Sequence, residues 1–310
     1  MQGIVTKSTG SWYAVKTDDG KLRDCRIKGK FRIQGIKSTS PVVVGDRVSL
    51  SHEGENWMIV DLHERKNYIV RKSVNLSKQT HIIAANIDQA ILIVTIQSPV
   101  TTPGFIDRFL ASARAYGVEV LLLFNKLDIY SDESMATQKS LRAVYERIGY
   151  RCLSLSVLND GLSEVKAAMK DKVNVISGHS GVGKSTLINM LQPDLDLLTQ
   201  EISEQHQQGQ HTTTFSEMHD LDFGGSIIDT PGVRGFGLVE MEKEELADYF
   251  PEFFALKSEC KFHNCLHLNE PNCAIKQAVE KEAIAPSRYR SYLNMLEEEG
   301  EHYRINKYDF

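Results

Sequence analysis

Residues 178–185 read Gly-His-Ser-Gly-Val-Gly-Lys-Ser, and no other stretch of this chain constrains its fold as tightly. The spacing G-x-x-x-x-G-K-[ST] works only where a β-strand gives way to an α-helix, because the backbone N–H groups and the helix N-terminus must converge on one anion. Both flanks are present: Val173–Ser177 is an apolar run suited to a buried strand, and Ser185–Leu191 carries a helical apolar pattern. Such a loop binds the phosphates of a nucleoside triphosphate. Gly178, His179, Ser180, Gly181, Val182 and Gly183 form the cradle, Lys184 reaches the β and γ phosphates, and Ser185, with Thr186 beside it, stands where magnesium is ligated.

The chain around this loop alternates between strand and helix. Apolar runs at Ala90–Ile96, Val118–Phe124, Arg151–Leu155, Val173–Ser177 and Gly225–Asp229 read as strands. Phe105–Tyr116 and Glu133–Ile148 read as helices, the second ended by Gly149. This predicts an α/β unit: a mostly parallel sheet covered by helices on both faces.

A phosphate loop leaves the base unspecified. Asn125-Lys126-Leu127-Asp128 follows the strand Val118–Phe124, at the C-terminal end where ligands sit in open α/β sheets. Asn-Lys-x-Asp resembles the guanine-specificity motif of the GTPase superfamily, in which the Asp carboxylate accepts from guanine N1–H and the exocyclic amine. Adenine offers no such donor pair, and an unpaired buried carboxylate is costly, so the motif selects GTP over ATP. Ser156 matches the superfamily's second base-contacting loop, with Ser-Val replacing the usual Ser-Ala. Asp229-Thr230-Pro231-Gly232 matches the D-x-x-G of the second switch, where Asp229 holds magnesium through water and the Gly232 N–H meets the γ-phosphate. Gly209-Gln210-His211-Thr212-Thr213-Thr214 is the candidate first switch, with Thr213 favoured among its three threonines as the magnesium ligand.

The superfamily's usual order puts the phosphate loop first, then the switches, then the base motif. Here Asn125–Asp128 and Ser156 precede Gly178–Ser185, so the set is complete but circularly permuted. The new chain cut hangs whatever follows on the second switch, and leaves whatever precedes the sheet on the other side of the fold. Val233 takes the place after D-x-x-G held by a water-orienting Gln in Ras-like enzymes; valine cannot hydrogen-bond water, so slow intrinsic turnover is expected.

The flanks are different in kind. Residues 3–62 break into five short alternating segments between Gly, Asp and Ser turns, the pattern of a small OB-type β-barrel. Residues 1–75 hold 14 Lys/Arg against 8 Asp/Glu, whereas the remainder holds 22 against 33, so the net charge of −5 conceals a basic module on an acidic body. Its basic residues are interleaved with Trp12, Tyr13 and Phe31, which suits phosphate contact and base stacking, although any one of these aromatics could equally be barrel core. Near the other end, Cys260, Cys265, His267 and Cys273 gather four soft ligands within 14 residues, a closed set typical of structural zinc; His263 is an alternative imidazole.

With 310 residues, 41% of them hydrophobic, the chain can build two or three cores. No apolar run approaches a membrane span, and the N-terminus lacks a basic-then-apolar leader, so a cytoplasmic location is expected. Taken together, the architecture resembles the ribosome small-subunit-dependent GTPase A family, RsgA. The more specific residues are Gly209–Thr214, Asp229-Thr230-Pro231-Gly232-Val233-Arg234, and Cys265-Leu266-His267 followed by Glu270-Pro271-Asn272-Cys273. The resemblance implies an OB domain over 1–70, a permuted GTPase domain over 71–240 and a helical zinc domain over 241–310. It also implies a monomeric factor that binds the 30S subunit and its 16S rRNA with GTP and leaves after subunit-stimulated hydrolysis, with His211 as the catalytic candidate. A switch acting on a soluble protein partner is the competing reading, and the basic β module speaks against it.

Overall fold

A computed structural model of the chain describes residues 1–28, 41–54, 56–72, 80–159, 161–195, 216–229 and 242–297. Strands β1 (Gln2–Ser8), β2 (Tyr13–Thr17), β3 (Leu22–Ile27), β4 (Arg47–Glu53) and β5 (Asn56–Leu62) pair in the order β1-β2-β3-β5-β4, and β4 returns to β1 to close a barrel. Closure follows from alternation: Val5, Tyr13, Val15, Cys25, Val48, Leu50 and Ile59 point inward and are buried. Gly3 is required by the tight wall, since a Cβ there would come within 2.6 Å of the Lys16 carbonyl oxygen.

A hairpin of β6 (Tyr68–Lys72) and β7 (Thr80–Ala85) follows, which the polar stretch between them hid from sequence reading. Val44, in the loop ahead of β4, bridges to Ala84, tying barrel to hairpin.

The central sheet comprises β8 (Gln89–Val94), β9 (Glu119–Phe124), β10 (Arg151–Ser154), β11 (Val173–Ser177), β12 (Glu217–Asp220) and β13 (Ser226–Asp229). Their order is β10-β9-β8-β11-β13-β12, all parallel except the edge strand β12. All six residues of β8 are buried, because helices cover both faces. Leu92 and Val94 pack with α1 (Pro103–Ala115) and α2 (Asp132–Arg147), while Ile91 and Ile93 pack with α3 (Leu162–Met169) and α4 (Lys184–Leu191). Thr102 caps α1 by accepting from the Phe105 N–H, with Pro103 opening the first turn.

The remaining helices, α5 (Pro251–Leu256), α6 (Ala274–Glu280) and α7 (Pro286–Glu297), form a third core around Phe250, Phe253 and Tyr292. They dock on α1. Arg288 of α7, buried, gives Nη1 to Asp107 at 2.7 Å and Nε to Glu252 at 2.7 Å, and the Tyr145 hydroxyl donates to the same Asp107 at 2.7 Å. Among the described residues no helix is long and apolar enough to cross a membrane.

The expectation that the barrel lies across the fold from the second-switch strand is corrected. β1 spends its first half on β4, up to Ile4, and its freed edge then meets β12 at Lys7↔Glu217. Lys7–Glu217 at 2.7 Å and Lys16–Asp220 at 2.5 Å pin the joint. The barrel therefore extends the central sheet at β12, next to β13. The C-terminal helices, besides their covalent link after the second switch, rest on α1 beside β8.

Candidate nucleotide site and metal cluster

The central sheet reverses direction between β8 and β11: β8, β9 and β10 step outward one way, and β11, β13 and β12 the other. In open α/β sheets the crevice at such a reversal, outside the strand C-termini, is where ligands bind. The loop Gly178–Gly183 leaves β11 at this point, and α4 starts at Lys184. Two glycines are dictated by their surroundings. Gly178 has φ +144°, and a Cβ there would come within 2.8 Å of the Ile93 carbonyl oxygen; Gly183 has φ +103°, and its Cβ would meet Asn125 Nδ2 at 2.6 Å. The Lys184 ammonium donates to the carbonyls of Gly178 and His179, at 2.7 and 2.6 Å, so it lies across the mouth of the loop.

Asn125 joins the base motif to this loop. Buried at the end of β9, it donates from Nδ2 to the Val182 carbonyl at 2.8 Å and accepts at Oδ1 from the Val157 N–H at 3.1 Å. One side chain thus holds the phosphate loop and the loop after β10 at a fixed separation. Lys126 turns the chain with φ +66°, and Asp128 follows, exposed, its Oδ1 accepting from Ser156 Oγ at 2.6 Å. Burial pulls the Lys126 pKa down, against the opposing charge of Asp128. Asn125, Lys126, Asp128, Ser156 and residues 178–186 therefore share one crevice, although they are scattered between positions 125 and 186 of the sequence.

Asp229 ends β13, which runs parallel to β11 with Ile228 opposite Val175, so its backbone lies beside the start of the phosphate loop. Gly232, Thr213 and His211 lie outside the described residues, as do Phe31, Lys30, Arg32 and Lys37.

Three features of the crevice escaped the sequence. His179 is stacked on Phe105 of α1, with ring centroids 3.9 Å apart and planes 32° apart; burial, then the Lys184 charge, lowers its pKa, which favours the neutral imidazole. The loop 95–101 lies against both the base motif and the phosphate loop, and Tyr130 bridges it to Asn125. None has a local signature, because each is a contact between distant segments.

In the C-terminal module the ligand atoms of Cys260, Cys265, His267 and Cys273 all lie within 4.8 Å of one another. His267 Nδ1 faces two thiols, 3.6 Å from Cys260 Sγ and 3.3 Å from Cys273 Sγ. Two donors about 2.0 and 2.3 Å from a shared tetrahedral centre stand about 3.5 Å apart, so the set fits a four-coordinate ion. His263 is exposed and outside the cluster, so the imidazole that the fold brings to the three thiols is that of His267. Burial, then the charges of the neighbouring thiols, push the Cys265 pKa up to about 12. The ligand loop is braced: Glu270 accepts from the N–H groups of Leu266 and Leu268, and Tyr289 and Tyr292 donate to the carbonyls of His267 and Leu266. These four residues could hold a metal ion.

On the barrel, Trp12 is 40% exposed with the Arg26 guanidinium 4.1 Å above its ring, and Arg23 lies 4.3 Å over Trp57. Tyr13 is buried core, so it is unavailable for base stacking: in β2 the inward positions are 13, 15 and 17. Lys7, Lys16, Arg23 and Lys28 are paired with carboxylates, which tempers the basic surface that sequence counting implied.

A phosphate loop at the sheet's reversal, with a guanine-type motif that precedes it in the chain but neighbours it in space, defines a circularly permuted P-loop GTPase. The model of the RsgA GTPase matches residues 62–239, and that of the RsgA N-terminal domain matches residues 2–59. The chain belongs to the RsgA family. It is 58% identical to the small ribosomal subunit biogenesis GTPase RsgA of Christiangramia forsetii, covering 99% of both chains, and 54% identical to that of Bacteroides fragilis, covering 97% and 98%. Among solved structures, YjeQ from Thermotoga maritima aligns with a TM-score of 0.78 at 33% identity, covering 95% of this chain and 96% of that one. YloQ, described as a circularly permuted GTPase, aligns with a TM-score of 0.76 at 30% identity, covering 95% and 93%.

Proposed function

We propose that this chain is a GTP hydrolase acting late in assembly of the small ribosomal subunit, binding the 30S particle and its 16S rRNA with GTP and leaving after subunit-stimulated hydrolysis. The single observation carrying the GTPase reading is Asn125, whose side chain ties the base motif, the loop after β10 and the phosphate loop into one crevice. Names of relatives 50–58% identical support the ribosomal role.

In this reading Asp128 selects guanine, with Asn125, Lys126 and Ser156 holding its loop. The N–H groups of residues 178–183 and the start of α4, through Thr186, cradle the phosphates, and the Lys184 ammonium swings from the loop carbonyls to the β and γ oxygens. Ser185 and Thr213 would hold the magnesium ion, with Asp229 acting through water and the Gly232 N–H reaching the γ-phosphate; when bound, the ion would supply charge neutralisation at the terminal phosphate. Val233 leaves the water-orienting role to His211, brought into place on the subunit. Cys260, Cys265, His267 and Cys273 hold one zinc ion as scaffold, since four protein ligands leave no position for a reacting water. The functional division is residues 1–70 for rRNA contact through the Trp12–Arg26 pair, 71–240 for hydrolysis and 241–310 for the zinc module, in a cytoplasmic monomer.

The test is GTP turnover alone, with purified 30S subunits and with 50S subunits. Selective stimulation by 30S is expected. No stimulation by 30S would remove the ribosomal role and leave the GTPase assignment standing.

A further inference from the structure

The base motif is gripped by a segment that belongs to no nucleotide motif. The loop 95–101 leaves β8 and ends at the cap of α1. The Ile96 N–H donates to the Tyr130 hydroxyl at 2.7 Å, and that hydroxyl donates to the Asn125 carbonyl at 2.7 Å. Lys126 Nζ donates to the Ser98 carbonyl, and Gln97 Nε2 donates to the carbonyl of Ile129. The loop is braced on itself, since Thr95 Oγ1 donates to the Pro99 carbonyl and the Thr95 N–H donates to Thr101 Oγ1 at 3.1 Å. On its other side it meets the phosphate loop, where a Cβ on Gly181 would come to 3.6 Å from Pro99 Cδ.

We propose that Tyr130 is a specificity-determining positioning residue for the guanine nucleotide, acting through the hydroxyl that locks the Asn125 carbonyl to the Ile96 amide. This rests on reading Asn125–Asp128 as the guanine motif. The Asn125 carbonyl belongs to the peptide leading into Lys126, whose φ of +66° is a left-handed conformation that a lysine adopts only under outside constraint. Fixing that peptide plane fixes the turn after it, and Asp128 stands on that turn. Asp128 is exposed, so little packing of its own holds the carboxylate, and its aim depends on the turn's backbone and on Ser156. A carboxylate accepting two parallel bonds from guanine tolerates little misalignment, because each bond weakens steeply with angle. Tyr130 touches neither base nor phosphate in this account; it sets where Asp128 is.

Tyr130→Phe keeps the ring and removes both hydroxyl bonds. The readout is equilibrium binding of GDP and of inosine diphosphate, which lacks the exocyclic amine and so engages one carboxylate bond instead of two, together with the melting temperature of each protein. The unmutated chain is expected to prefer GDP. In Tyr130→Phe, GDP binding is expected to weaken roughly tenfold, about 1.4 kcal/mol, and the preference over inosine diphosphate to shrink several-fold, with the melting temperature moving by only a few degrees. Equal weakening of both nucleotides, or an unchanged preference, overturns the proposal, since a merely structural tyrosine would leave the ratio alone. An unmutated chain with no preference for GDP instead removes the guanine reading of the motif, and the proposal with it.

Discussion

Arg288 offers the sharpest test of how the C-terminal helices are held. The residue is 1% exposed, and its guanidinium lies 4.4 Å over the Phe250 ring and makes three charged hydrogen bonds, one to Asp107 and two to Glu252. Arg288→Met keeps much of the side chain's length and removes the cation, leaving both carboxylates behind. Removing one partner of a buried pair costs about 3–5 kcal/mol, and the loss of three bonds at once puts this variant near the upper end. Burial raises the Asp107 pKa, and Arg288 is the strongest influence opposing that rise. Without Arg288 the folded-state pKa climbs further above the unfolded value of about 3.9. Such a carboxyl favours the folded state while protonated, so the penalty is least near the unfolded pKa and grows as pH rises toward the folded one. Urea unfolding should therefore show a larger loss at pH 8 than at pH 5. Both tryptophans, Trp12 and Trp57, sit in the barrel, so fluorescence follows that module while far-ultraviolet circular dichroism follows the helices. The variant's dichroism midpoint should fall to lower urea with the fluorescence midpoint nearly fixed. A loss below about 1 kcal/mol, or a greater loss at pH 5, would refute the idea that this cation holds α7 on α1.

Three further outcomes are expected. Asp128→Asn should weaken GDP binding by roughly 100-fold while gaining affinity for xanthosine diphosphate, whose carbonyl accepts from the new amide; equal loss of both nucleotides would contradict base reading by this residue. His211→Ala should lower 30S-stimulated turnover by roughly 10²–10⁴-fold, and an unchanged stimulated rate would remove the catalytic role. Metal analysis should find one zinc per chain, and its removal by a chelator should cost the C-terminal helices several kcal/mol with little change in the barrel's fluorescence; unaltered helices would show that the cluster is not a structural anchor.

What the sequence disclosed divides by the range of the interaction responsible. The phosphate loop was legible because Gly178, Gly183 and Lys184 act through backbone geometry set within eight residues, and the Cys/His cluster because its ligands crowd a single loop. The barrel's strands could be read from alternation, yet Trp12 and Tyr13 were indistinguishable until the inward phase of β2 was known. β12 was missed, since Glu217-Met218-His219-Asp220 carries one apolar residue and relies on its pairing with β13. The Asp107–Arg288 pair spans 181 positions and the Tyr130–Ile96 bond spans 34. Neither spacing has any periodicity to betray it.

The joint between β1 and β12 has a consequence for solubility. A six-stranded open sheet ends in two rows of unpaired backbone groups, and such rows recruit other chains by strand addition. At one end the exposure is limited by the shortness of β10. At the other, β12 is short and charged, and β1 pairs with it at Lys7↔Glu217, with Lys7 of β1 against Glu217 and Lys16 of β2 against Asp220. The barrel, spending the one stretch of β1 that its closure leaves free, thus acts as a stopper on its neighbour's edge, and a chain trimmed of residues 1–62 would bare a sticky margin of backbone.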